Sequence, residues 1–211
     1  MRSIYLSAAA IWLAGVAAAW AGGNTVRIGV LNDQSGVFAD STGSGSTLAA
    51  QMAAEDFGGK VAGKPIEVIA ADHQNRPDVG AGIARRWFDL ENVDAIADLG
   101  NSAVALAVND IARDKNKVAL ISAGGTTALT GKNCTPNTVQ WTYDTWSQSS
   151  AIGKALVKAG HKKWYFLTAD YTFGYNLRDE TSKVVTANGG TVVGSVRHPI
   201  NSSDFSSYLL Q

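Results

Sequence analysis

The feature that most constrains the fold is a regular alternation of two kinds of segment from Val26 onward. Short runs of β-branched and apolar residues alternate with longer runs in which apolar residues recur at helical spacing. These runs predict strands at 26–31, 66–71, 95–99, 118–121, 164–168 and 191–196, and helices at 46–57, 79–90, 103–114, within 141–159 and at 175–188. Apolar strands separated by amphipathic helices are typical of parallel sheets with helices on both faces, so the predicted class is α/β and doubly wound.

The carboxyl-terminal residues break this alternation. A helical pattern opens at Asp204 and Phe205, and the chain reaches Gln211 with no helix stop signal and no closing strand. A doubly wound sheet that ended here would leave an apolar edge uncovered. We therefore expect this chain to be truncated.

The amino-terminal segment has the three-part layout of a secretory signal peptide. Met1 and Arg2 give a positive start, residues 4–20 are apolar and rich in alanine, and Ala19-Trp20-Ala21 matches an A-x-A cleavage site. We predict that residues 1–21 are a signal peptide cleaved after Ala21 and that the mature chain is periplasmic. A membrane anchor is the alternative, although the apolar run is near the lower length limit for crossing a bilayer.

Charge and cysteine content exclude several classes of function. The sequence has 18 Lys and Arg and 18 Asp and Glu residues, and loss of Arg2 with the signal peptide leaves 17 basic residues. A nearly neutral chain lacks the positive charge that nucleic-acid binding requires, so we predict no nucleic-acid partner. Cys134 is the only cysteine, which excludes a disulfide scaffold and a cysteine-based metal site. Such a cysteine is either buried and inert or lacks its partner.

The loop after the first predicted strand contains glycines that resemble part of a nucleotide-binding fingerprint. Gly43 and Gly45 have the required spacing, but the third glycine would fall at Leu48, and the motif begins about a dozen residues beyond the strand instead of at its tip. We therefore predict no nucleotide site. The remaining interpretation is a flexible loop in which Ser46 or Thr47 caps the following helix.

A second loop, Gly100-Asn101-Ser102, joins a predicted strand to a predicted helix. It resembles a nucleophile elbow without the closing glycine, and a hydrolase would also need an acid and a histidine, for which Asp170 and His198 have the right order. The alternative uses the main chain, because the N–H groups at a helix N-terminus, with the Asn101 and Ser102 side chains, suit a carboxylate. Simple helix capping by Asn101 or Ser102 is a third interpretation.

A third loop, residues 122–127, follows the next predicted strand and contains two glycines and several hydroxyl groups. Glycines allow close approach of the backbone to a ligand. Because consecutive strands often lie side by side, this loop and Gly100-Asn101-Ser102 could meet at one ligand. Aromatic residues near 141–146 and 170–175 are interpreted either as packing or as pocket walls.

Several segments together resemble one family. They are residues 26–31 with the turn at Ser35-Gly36, and the segments 49–57, 71–78, 99–102, 121–125 and 170–174. In this order and spacing, the chain resembles the periplasmic substrate-binding proteins of branched-chain amino acid ABC transporters, the leucine-binding-protein type. The resemblance covers essentially the whole mature chain.

The resemblance implies two doubly wound α/β lobes of the type I periplasmic-binding-protein fold, with a ligand held between them. The first lobe would span 25–142, and an incomplete second lobe would span 143–211. The predicted ligand-binding residues are Asn101, Ser102, Ala103, Ser122, Ala123, Gly124, Gly125, Thr126, Tyr143, Tyr171 and Phe173. No catalytic residue, metal or cofactor is implied.

The function that the resemblance implies is that of an extracytoplasmic solute-binding component of an ABC importer. Lobe closure around the ligand would be recognised by membrane permease subunits, and the protein would act as a monomer and not as an enzyme. Asn101 and Gly125 stand where the family often has hydroxyl residues, so the ligand is described as a small carboxylate-bearing solute: an amino acid, branched-chain or other, an aromatic acid or an amide. The alternatives are a ligand-sensing receptor module of the same fold and an exported α/β hydrolase.

Overall fold

A computed structural model describes residues 23–210, so the predicted signal peptide lies outside the described residues. The chain first builds a six-stranded sheet with the order β2-β3-β1-β4-β5-β6. The strands are β1 (Val26–Asn32), β2 (Lys60–Val61), β3 (Lys64–Asp72), β4 (Ala95–Asp98), β5 (Val118–Ile121) and β6 (Thr138–Gln140). Only the short β2 is antiparallel to its neighbour. The predicted parallel α/β architecture is therefore confirmed.

Three helices accompany this sheet: α1 (Gly43–Asp56), α2 (Pro77–Asp89) and α3 (Ser102–Asp114). The core of the first unit is formed by apolar side chains of α2 and α3 together with those of β4 and β5, and it includes the fully buried Ile96, Val108 and Ile121. Trp87 of α2 lies against Gly29 of β1, where an added Cβ would be 2.4 Å from the indole ring. The glycine therefore gives the indole the space to pack on the sheet.

A second unit follows, with α4 (Thr145–Lys158), β7 (Lys163–Ala169), α5 (Thr172–Ala187), β8 (Thr191–His198) and α6 (Ser206–Leu209). β7 and β8 form a parallel pair. Helices α4 and α5 pack closely because Gly153 leaves room for Val184, whose Cγ1 would be 2.9 Å from an added Cβ. The chain leaves the first sheet after Gln140 and enters α4 at Thr145; the lobe boundary at 142/143 stays a prediction.

The structure corrects several expectations about element ends. Helix α1 begins at Gly43, and the Thr42 side chain before it forms no cap, so the predicted cap at Ser46 or Thr47 is wrong. Strands β2 and β6 and a short 3-10 helix at Thr127–Leu129 were not predicted. Cys134 is exposed, which rules out the buried, inert interpretation. Among residues 23–210, no helix is long and apolar enough to cross a membrane.

Candidate ligand-binding cleft

The strand order fixes where a crevice forms. From β1 the chain crosses to β3 on one side, and β4 lies on the other side of β1. The loops after β1 and β4 therefore diverge at the carboxyl edge of the sheet, the topological switch point at which open α/β sheets bind ligands. A cavity of about 260 Å³ lies here, between the first sheet and the second unit.

Twelve residues line this cavity: Phe38, Ser41, Thr42, Gly100, Ser102, Ser122, Ala123, Gly125, Thr142, Tyr143, Tyr171 and Phe173. Seven of the eleven predicted site residues are among them. Asn101, Ala103, Gly124 and Thr126 are not. Because none of the lining residues is Asp, Glu, Lys, Arg or His, polar recognition by these residues must come from hydroxyl groups and main-chain groups.

The β4 loop enters the cavity through an unusual backbone turn. Asp98 and Leu99 have φ angles of 80° and 58°, and Leu99 is fully buried. Left-handed backbone costs about 1–2 kcal/mol for each non-glycine residue, so the surrounding contacts must hold the turn. One such contact is the Leu99 N–H, which donates to the Leu31 carbonyl at 3.1 Å. The turn brings Gly100 and Ser102 to the cavity.

The Asn101 side chain caps α3. Its Oδ1 accepts from the N–H groups of Ala103 at 2.9 Å and Val104 at 3.3 Å, and the residue is 2 % exposed. The capping interpretation therefore describes Asn101, and the Ala103 N–H that was expected to meet a ligand is already bonded within the chain. Ser102 is the residue of this helix end that faces the cavity, and none of the hydrogen bonds of the described residues uses its N–H group.

The β5 loop contributes Ser122, Ala123 and Gly125. None of the hydrogen bonds formed within residues 23–210 uses the N–H groups of Ala123 or Gly125. An added Cβ at Gly125 would be 2.8 Å from the Phe173 ring and 2.9 Å from the Tyr143 ring. Two aromatic rings can lie directly on this stretch of backbone because residue 125 is glycine.

Gly124 and Thr126 do not line the cavity. A Cβ at Gly124 would be 2.6 Å from the Leu99 carbonyl oxygen, so this glycine lets the β4 and β5 loops approach each other. Thr126 is fully buried, and its hydroxyl oxygen accepts from the Ala128 N–H at 3.2 Å and from the Asn176 side-chain amide. Its hydroxyl therefore joins the first sheet to α5 and does not face the cavity.

Aromatic rings form one wall of the cavity. Phe38 and Tyr171 have ring centroids 5.9 Å apart, Tyr171 and Phe173 6.1 Å, and Tyr143 and Phe173 6.4 Å. Burial, with a smaller contribution from neighbouring Tyr143, raises the pKa of the Tyr171 phenol to about 12. The phenol is therefore a neutral hydrogen-bond donor at physiological pH.

Phe38, Ser41 and Thr42 were missed by the sequence reasoning, which interpreted their loop as flexible. Their position follows from the strand order, because the loop after β1 flanks the switch point. The long polar stretch between β1 and α1 was the available signal, and it lacks a motif that would identify a ligand loop.

The groups that a hydrolase would need are not assembled at Ser102. His198 Nδ1 is 2.8 Å from the Pro199 carbonyl oxygen, and its ring packs on Phe205 with centroids 4.9 Å apart. Asp170 accepts hydrogen bonds from Tyr175 and from Arg197. Neither His198 nor Asp170 forms a hydrogen bond with Ser102 among the described residues, so the geometry does not support the hydrolase alternative.

Comparison with known proteins identifies the family of this chain. Residues 25–211 match the family described as periplasmic binding protein. The chain belongs to this family. A periplasmic binding protein from Burkholderia mallei, known from its crystal structure, is 50 % identical, with a TM-score of 0.87 over 89 % of this chain and 50 % of that one. The predicted resemblance to the leucine-binding-protein family is thereby confirmed.

Two other relatives carry different descriptions. The Leu/Ile/Val-binding protein homolog 6 of Brucella abortus is 28 % identical over 98 % of this chain and 52 % of its own length. A solute binding protein of an ABC transporter from Rhodopseudomonas palustris, solved with 3,4-dihydroxybenzoic acid, is 28 % identical, with a TM-score of 0.78 over 89 % of this chain and 51 % of its own. The chain thus spans about half the length of its relatives, which are described as binding proteins.

Proposed function

We propose that this chain is the extracytoplasmic solute-binding component of an ABC importer and that it holds a small carboxylate-bearing solute in the cleft. The solute is a branched-chain or other amino acid, or an aromatic acid, delivered from the periplasm to membrane permease subunits by a monomeric binding protein. The observation that carries the proposal is that Ser102, Ala123 and Gly125 line one cavity with N–H groups that have no partner among the described residues.

The chemistry of the two sides of the cavity supports a carboxylate attached to an apolar group. A carboxylate accepts several hydrogen bonds, and main-chain N–H groups at a helix N-terminus bind it in a region of positive potential. Ser102 adds a hydroxyl group at this end of α3. The rings of Phe38, Tyr143 and Tyr171 supply an apolar wall for the rest of the solute.

Contacts between the two units provide a way for a bound solute to favour a closed cleft. Phe38 of the first unit packs on Tyr171 of the second, and the Thr127 hydroxyl donates to Glu180 of α5 at 3.2 Å. A solute that touches both units stabilises the arrangement in which these contacts form, which shifts the population toward a closed cleft. The permease would recognise that closed form.

Thermal denaturation of the purified chain, with and without saturating ligand, tests the proposal. Benzoate, 3,4-dihydroxybenzoate, leucine, isoleucine and valine form the panel, and benzamide is the uncharged match to benzoate. A ligand that binds only the folded chain raises the midpoint; at a concentration 100 times its Kd, the stabilisation is about 2.7 kcal/mol.

We expect at least one carboxylate to raise the midpoint. If benzamide raised it as much as benzoate, the carboxylate assignment would be wrong. If no compound in the panel raised it, the proposed site would be contradicted. Loss of uptake of the bound solute on deletion of the gene would then distinguish delivery to a permease from ligand sensing.

A further inference from the structure

Asp98 lies beneath the cleft without lining it. The residue ends β4 and is 4 % exposed. Its Oδ1 accepts from the Ser122 hydroxyl at 3.2 Å, and its carbonyl oxygen accepts from the Ser122 N–H at the same distance. Asp98 therefore binds the first residue of the β5 loop through both its side chain and its main chain.

The other carboxylate oxygen of Asp98 binds the β1 side of the cleft. Oδ2 accepts from Asn32 Nδ2 at 3.0 Å. The same amide group donates to the carbonyl oxygens of Thr42 at 3.1 Å and Gly43 at 2.8 Å. Asn32 thus connects the carboxylate to Thr42, which ends the β1 loop and lines the cavity.

One buried carboxylate thus joins all three first-unit loops that line the cleft. We propose that Asp98 is a positioning residue for solute binding: it sets the separation between the donors of the β4 loop, at Ser102, and those of the β5 loop, at Ala123 and Gly125. The inference rests on the proposed function. A carboxylate suits this place because it can accept from both donors at once, and aspartate tolerates the φ of 80° better than most residues do.

The test compares Asp98→Ala with Ser122→Ala, by calorimetric titration with benzoate and with leucine at a temperature where circular dichroism shows each variant folded. We expect Asp98→Ala to raise Kd about tenfold, since precise donor placement is lost. Ser122→Ala should raise it less. Because Asp98 acts through Ser122, the double variant should bind no more weakly than Asp98→Ala alone, a coupling that a purely structural role would not produce.

Asp98→Asn is the conservative variant. Its amide oxygen can accept from Asn32, its NH₂ group can donate to the Ser122 hydroxyl, and asparagine also tolerates positive φ. We expect a Kd within about threefold of wild type, because both connections are kept. Asp72→Ala is the control: this carboxylate at the end of β3 accepts from the Ser35 hydroxyl and does not line the cavity, so its removal should leave Kd unchanged.

The outcomes separate the two proposals. If the wild-type chain binds neither benzoate nor leucine nor any other carboxylate of the panel, both the proposed function and this inference fail. If the wild type binds and Asp98→Ala binds equally well, or the two losses simply add, only the role of Asp98 is overturned. If Asp98→Ala does not fold, Asn32→Ala takes its place, because Asn32 joins the carboxylate to the β1 loop and does not line the cavity; an unchanged Kd for that variant refutes the inference.

Discussion

Gly125 is the position at which a single added carbon should interfere most directly with cleft closure. An alanine Cβ there would lie 2.8 Å from Phe173 Cε2 and 2.9 Å from Tyr143 Cε2. Ordinary contacts of this kind begin near 3.4 Å, so each ring would have to retreat by about 0.5–0.6 Å. Overpacking of this size costs about 1–3 kcal/mol. The strain exists only while the rings lie on the β5 loop, so the chain can relieve it by opening.

The expected result of Gly125→Ala is therefore weaker binding with a smaller loss of thermal stability. If all of the strain falls on the closed form, Kd rises about 5- to 150-fold. Calorimetric titration with the carboxylate that most stabilises the wild type measures Kd, and circular dichroism measures the melting midpoint. Phe173→Leu in the Gly125→Ala background should recover part of the affinity, because leucine lacks the ring edge that clashes.

Gly45→Ala is the matched control, because a Cβ at this α1 position meets nothing within 4 Å. Alanine also has a higher helix propensity than glycine, so this variant should be about 0.5–1 kcal/mol more stable and should bind as the wild type does. Wild-type affinity in Gly125→Ala would refute the close approach of the two rings to the β5 loop as a requirement for binding.

Two further predictions concern other residues. Ser102→Ala removes a hydroxyl group from the cavity and should weaken carboxylate binding by about 1–3 kcal/mol. Ser44 is an exposed serine in the first turn of α1, so Ser44→Ala should leave binding unchanged. Equal Kd values for the two variants would exclude Ser102 from the site. His73 is fully buried, and burial lowers its pKa, partly opposed by Asp33, Asp72 and Asp98. As the pH falls, the unfolded chain therefore protonates His73 before the folded chain does. The contribution of neutral His73 to the free energy of unfolding is fully present above about pH 6.5 and is lost as the pH falls below that value. His73→Gln should flatten the dependence of the melting midpoint on pH, and an unchanged slope would contradict this.

The sequence predicts the larger elements well because their signals are local. Strands β1, β4 and β5 are short and predominantly apolar runs, and their predicted bounds differ from the structure by at most one residue. Strand β6 could not be found in this way. It has three residues and becomes a strand only by pairing with β5, where Thr138 lies opposite Ala119. Its existence depends on a neighbour that is distant in sequence.

The candidate site was predictable in its loops but not in the direction of each residue. Asn101 before a helix can either cap it or leave its N–H groups to a ligand, and only the structure shows that the cap forms. Thr126 has a hydroxyl group that could contact a ligand, but this hydroxyl binds the Asn176 side chain of α5 instead. Phe38 lies in the site because of strand order, which no local pattern encodes.

If the chain functions as proposed, the two sides of the cleft recognise different parts of a solute by different means. On the first-unit side, main-chain N–H groups would meet the carboxylate, and these donors are the same whatever side chain stands at Ala123. Their placement depends on buried contacts such as the one between Asp98 and Ser122. On the other side, Tyr143, Tyr171 and Phe173 contribute side chains, whose size and polarity can change without moving the donors. Under the proposed function, the carboxylate site and the choice of solute can therefore vary independently within one fold; the relatives are described by branched-chain amino acids in one case and by an aromatic acid in another.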